Sequence, residues 1–115
     1  MGYLFTPSTI TDKHPNMLIQ VHPQEFDLLY RKAKDSYLTC INNPENAYLH
    51  KETPLPLSSI VVQEWDVKVV FSARSVEINQ IETHLGLYVN GKWMGKYVSI
   101  TDATGEIIDD SLVFY

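Results

Sequence analysis

Cys40 is the single cysteine in 115 residues, so no intramolecular disulfide is possible and a secreted, disulfide-stapled scaffold is excluded. One cysteine cannot build a zinc finger, and His14, His22, His50 and His84 lack the spacing of a metal-binding set. Basic residues are scarce, nine Lys and Arg against fourteen Asp and Glu for a net charge of −5, which argues against a nucleic-acid partner. Their one cluster, Arg31-Lys32-Ala33-Lys34, is what the dipole at a helix C-terminus attracts. Glycine is limited to five residues, and Gly86, Gly91 and Gly95 do not form the GxGxxG spacing of a phosphate cradle. No apolar window approaches membrane-spanning length. No cofactor, metal, nucleic acid or membrane is therefore expected.

The first residues, Met1-Gly2-Tyr3-Leu4-Phe5-Thr6-Pro7, have neither the basic start nor the long apolar run of a signal peptide. Thr6 after Gly2 meets the loose outline of a myristoylation signal, but Tyr-Leu-Phe reads equally as a short strand. A cytoplasmic setting is the expectation.

What is present suffices for a core: 44% hydrophobic and 11% aromatic residues with 20% charged describe an ordinary globular chain. The length fits one domain spanning residues 1–115. Charge is uneven. Residues 76–115 carry Glu77, Glu82, Asp102, Glu106, Asp109 and Asp110 against only Lys92 and Lys96.

The strongest local signal is Asn90-Gly91 between two alternating apolar runs, which predicts a hairpin over 85–98 with a type I′ turn. Upstream, Met17–Val21 reads as a strand. Pro23 suits a first helical position, and Phe26, Leu29, Tyr30 and Ala33 recur at helical spacing, so a helix is predicted over 24–35, followed by a strand at Tyr37–Ile41. Residues 42–58 read as a long Pro-containing connection, either an inert crossover or a binding loop. Residues 60–65 and 66–73 are β-branched and apolar with no Gly or Pro between them, which suits one long bent strand. Ser75 as a cap, then Ile78, Ile81, Leu85 and Gly86, favour a short helix. A turn at 101–106 ending on Gly105 leads to a last strand, either whole or split at Asp109-Asp110. The expected fold is α+β: an antiparallel β-sheet of five to seven strands with one or two helices packed on one face.

With Asn90 and Gly91 as the two loop residues, Val89 faces Lys92, Tyr88 faces Trp93, Leu87 faces Met94 and Gly86 faces Gly95. That register predicts a notch floored by Gly86 and Gly95 and walled by Tyr88, Trp93 and Tyr97. The notch is either a shallow aromatic recognition site or a place where another element packs closely on bare backbone.

Cys40, His84 and Asp66 nominally supply a thiol triad, but cysteine in an apolar strand is ordinarily a small core residue. Asp102, Glu106, Asp109 and Asp110 lack the spacing and the bidentate Glu of an EF-hand and read as a solvated edge or as contacts for a basic partner. The leading expectation is a non-enzymatic protein-binding module of inhibitor, immunity or phage-accessory type. It would touch another protein through Tyr88, Trp93, Tyr97, Gly86, Gly95 and Tyr48, with the acids Asp102, Glu106, Asp109 and Asp110 around them. The alternative is a homo-oligomeric structural or small-ligand-binding protein, paired across subunits through the 112–115 or the 60–73 strand.

Overall fold

The computed structural model describes residues 6–7, 19–52, 56–75 and 77–115. Its centre is an antiparallel four-stranded meander, β3 (Val61–Phe71), β4 (Ile78–Val89), β5 (Lys92–Thr101) and β6 (Ile107–Phe114), in the order β3-β4-β5-β6. A two-residue pairing of β1 (Thr6–Pro7) with β2 (Ile19–Gln20) stands apart from it. One long helix, α1 (Pro23–Asn42), lies on one face of the sheet. The fold is α+β with an antiparallel sheet, but the sheet is narrower than the five to seven strands expected. Of the strand expected at Met17–Val21, residues 17 and 18 lie outside the described residues; Ile19 and Gln20 form β2.

The sheet is narrower because β2 pairs with β1 outside it and because Tyr37–Ile41 took the other secondary structure. Tyr37–Ile41 is the second half of α1, not a strand. Leu29, Ala33, Tyr37 and Ile41 are all buried, an unbroken stripe at i, i+4 that packs on the sheet and outweighs the strand preference of Tyr, Thr and Ile. Arg31, Lys32 and Lys34 consequently sit in mid-helix, and no basic residue occupies the last turn, so the dipole argument for them fails. Pro23 does take the N-terminal position and Glu25 the first turn. The helix stops at Asn43, whose ψ of 125° is extended, as the residue before a proline prefers.

Residues 75–86 are the converse case. The helix expected there is replaced by β4, in which Ile81, Thr83, Leu85, Leu87 and Val89 point inward at every second position. Ser75 does cap locally, accepting from the Glu77 N–H at 3.0 Å, but the cap opens no helix. The period-2 pattern was obscured because Ile78 is also buried, brought into line by a register shift opposite Val70 and Phe71. The connection after α1 is not a bare loop. It holds a 3₁₀ turn at Pro44–Asn46, the short helix α2 (Leu49–Glu52) and another 3₁₀ turn at Leu57–Ser59. Leu49 and Leu57 from this stretch close one end of the core.

β3 is a single strand with an irregularity between Glu64 and Val67, as a long bent strand requires. The hairpin turn is as read: Asn90 (φ 51°) and Gly91 (φ 76°) both have positive φ, and Val89 faces Lys92. Gly105 (φ 91°) ends the β5–β6 turn, and β6 runs through Asp109-Asp110 without a split.

The core lies between α1 and the sheet in two clusters. Ala33, Tyr37 and Ile41 meet Leu85, Leu87 and Tyr97 in one; Leu29 meets Ile78, Ile81 and Ala103 in the other.

Candidate binding face

The face of the sheet turned away from α1 carries the aromatic side chains. In β4 the residues between the inward ones point there, so Gly86 and Tyr88 lie outside, and Tyr88 pairs with Trp93. Beyond that pair the expected register fails. Leu87 faces Gly95 and Gly86 faces Lys96, because Met94 is an extra residue on β5. A one-residue bulge moves every following side chain to the opposite face. The Gly86–Gly95 notch therefore does not exist.

Tyr97 is the residue most affected. It is fully buried under α1, edge-on to Tyr37 with ring centroids 5.6 Å apart. Its hydroxyl meets Ser36 Oγ at 2.6 Å and donates to Asp110 Oδ2 at 2.7 Å. Burial, the largest cause, holds the phenol well above the usual tyrosine range, so at neutral pH it is a hydrogen-bonding tie between helix and sheet edge and is no part of an exposed patch.

Gly86 remains a site of close approach, but its neighbour comes from the other side. A Cβ there would collide with the indole of Trp65, which sits at the β3 irregularity. Gly95 points to the helix side, where a Cβ would strike the Val113 carbonyl and the Phe114 side chain.

The aromatic groups that do assemble are Tyr88, Trp65, Trp93 and Tyr115. Trp65 lies 6.4 Å from Tyr88 and 5.7 Å from Trp93 between ring centroids, and Trp93 lies 4.9 Å from Tyr115. Trp65 Nε1 donates to the Tyr88 hydroxyl at 3.2 Å and Trp93 Nε1 to the Gly95 carbonyl at 2.7 Å. The Tyr115 N–H donates to the Met94 carbonyl at 2.8 Å, which extends the ladder past β6 and holds this ring beside Trp93. Both indole N–H groups are thus used internally, and the strip offers apolar ring surface. Trp93 is 48% and Tyr115 67% exposed, beside exposed Val61 and Val113 on the same face.

The remaining expected residues are dispersed. Tyr48 is exposed in the connection after α1, not on the sheet. Asp102 belongs to the β5–β6 turn, where its Oδ1 accepts from the Thr104 N–H (2.9 Å), the Thr104 hydroxyl (2.6 Å) and the Glu106 N–H (3.0 Å). These bonds, the Thr104 hydroxyl first, hold its carboxyl below the usual range. Glu106 is exposed in the same turn. Asp109 lies on the outer face of β6, while Asp110 points to the helix side and Tyr97. The four acids are therefore not one cluster. Among the described residues no group of three or more His, Cys, Asp or Glu is placed to hold a metal ion. No helix among them is long and apolar enough to cross a membrane.

An open groove of about 480 Å³ runs between α1 and the start of β6, lined by Lys32, Asp35, Ser36, Thr39, Glu106 and Ile107. Lys32 spans it, donating from Nζ to the Gly105 carbonyl at 2.8 Å, so its charge serves the fold.

Trp65, Tyr115 and Ser36 were not singled out from sequence. Gly86 did signal a close backbone approach, but pairing across β3 and β4 spans too long a separation for the hairpin to reveal it. Compared with known proteins, the chain matches no family model, no curated protein and no solved structure.

Proposed function

We propose that this chain is a small protein-binding domain that engages its partner through the helix-free face of the sheet, with Trp93 and Tyr115 as anchors and Trp65 and Tyr88 as their support. The observation that carries the reading is the exposure of Trp93 and Tyr115 at 48% and 67%, although the two rings are in contact, the Trp93 ring is tied by its Nε1 bond to Gly95 and the Tyr115 backbone by its N–H bond to Met94. Rigid aromatic rings give a large contact area with little rotamer entropy to lose, and they dominate binding hot spots. With both indole N–H groups satisfied internally, recognition rests on apolar shape. The net charge of −5 and the outward Asp109 favour a partner with an apolar centre and a basic rim.

The test is a paired capture from source cells on immobilised wild-type protein and on the Trp93→Ala/Tyr115→Ala double variant. The expected result is one stoichiometric protein retained by the wild type, lost or weakened at least about tenfold by the variant, which corresponds to a loss of 1.4 kcal/mol or more. Equal thermal midpoints for the two proteins exclude misfolding as the cause. Capture that is equal on both would overturn the proposal.

A further inference from the structure

The two edges of the sheet are treated differently by the sequence. Along β3 the ladder is interrupted by the irregularity at Trp65-Asp66, the Trp65 carbonyl accepts from the Tyr30 hydroxyl, and Glu64 is paired with Lys34 at 2.6 Å. Bulges, charges and capped backbone groups of this kind keep an edge from pairing with another chain. Along Asp109–Phe114, β6 has no Pro, Lys or Arg and its register with β5 is continuous; its only charges there are Asp109 and Asp110, and its outward backbone is capped only at Asp110 among the described residues. Ile107, Ile108 and Val113 are exposed along it.

The direction of its free groups follows from the ladder. The Tyr115 N–H points to β5, so odd-numbered residues bond inward and Asp110, Leu112 and Phe114 present their N–H and C=O groups outward. The outward Asp110 N–H is held at 2.8 Å by the Asp109 carboxylate, a local bond that a ladder bond can replace.

We infer that β6 pairs antiparallel with β6 of a second copy, about a two-fold axis at Ser111. In this register Ser111 faces itself as a non-hydrogen-bonded pair, and Asp110 faces Leu112 through outward backbone groups that match. A register centred on Asp109 or Asp110 would oppose two carboxylates directly and is disfavoured. Centring on Ser111 instead places Asp109 of the second copy opposite Val113, whose neighbour on β5 is Lys96. Lys96 and that aspartate then stand two strand spacings apart, about 10 Å between backbones, within the joint reach of their side chains. Neither residue forms an ion pair among the described residues. This charge match between copies identifies the occupant of the edge. The inference does not depend on the aromatic strip.

The register is tested in a Cys40→Ala background. Ser111→Cys is expected to form a disulfide-linked dimer on mild oxidation, since directly opposed non-hydrogen-bonded residues meet disulfide geometry. Val113→Cys is expected not to, because its opposite number is Asp109. Sedimentation of the wild type over a dilution series is expected to show twice the monomer mass, and Ser111→Lys to weaken association by about fivefold through two facing ammonium groups. A wild type that sediments as monomer throughout, linkage through position 113 in preference to 111, or association unaffected by Ser111→Lys would each overturn it.

Discussion

Gly86 and Trp65 show how one side chain can dictate another residue's identity. The Trp65 indole occupies the space a Cβ at position 86 would take, and the same ring is held by its bond to Tyr88 and by contact with Trp93. Gly86→Ala therefore forces the indole off its neighbours. An overpacking cost of about 1–3 kcal/mol is expected, read as a lower midpoint in urea unfolding together with a shift in tryptophan emission. Unchanged stability and emission would mean that the ring moves aside freely. Tyr88 and Tyr97 make the complementary point. They lie on facing strands of one hairpin, yet one is half-exposed on the outer face and the other is fully buried beside Ser36 and Asp110, because Met94 lies between them as an extra residue.

At the scale of elements, one carboxylate supplements the backbone bonds of the β5–β6 turn, Asp102 N–H to Glu106 C=O and Gly105 N–H to Asp102 C=O. Asp102 accepts three bonds in its own turn, and its folded pKa lies below the ordinary carboxylate value. A depressed pKa contributes stability that is fully present above the unfolded value and is lost as the pH falls through the folded one. Acidification below the ordinary carboxylate range is therefore expected to loosen this turn. Protection of the Thr104 and Glu106 amides, measured relative to their intrinsic exchange rates at each pH, should fall there in the wild type, and Asp102→Asn should flatten that dependence.

This turn and the Asn90-Gly91 reversal were legible in the sequence because their chemistry is contained in four to six consecutive residues. What was not legible required distant partners. Tyr37 and Ile41 continue a helical stripe whose value depends on Leu85, Leu87 and Tyr97. Residues 78–86 fit helical and strand spacing alike until Val67 and Val69 pair with them. Half of the aromatic strip, Tyr88 and Trp93, could be read from the hairpin alone. Trp65 and Tyr115 could not, since they arrive from the strands that flank it.

On the scale of the whole molecule, one helix against a four-stranded sheet leaves a thin core with polar groups inside it. Thr83, Ser99 and Tyr37 are buried, and their hydroxyls find no hydrogen-bond partner among the described residues. Tyr37 lies at the junction of α1 with β5, and burial, with the neighbouring Cys40 adding to it, raises its pKa from 10.0 to about 12. A raised folded value means that the unfolded chain gives up this proton first as the pH climbs. The Tyr37 contribution is fully present below about 10 and is lost progressively up to about 12. Alkaline unfolding is thus expected to set in where tyrosine ordinarily ionises, with helix and sheet separating together because the phenol lies between them. Tyr37→Phe removes both the titration and a buried hydroxyl without a partner, so at neutral pH it should be neutral or slightly stabilising. Denaturant midpoints followed from neutral to strongly alkaline pH check both statements: the variant's decline should be shallower than the wild type's, and an identical decline would assign alkaline sensitivity to Tyr97 and the other tyrosines instead.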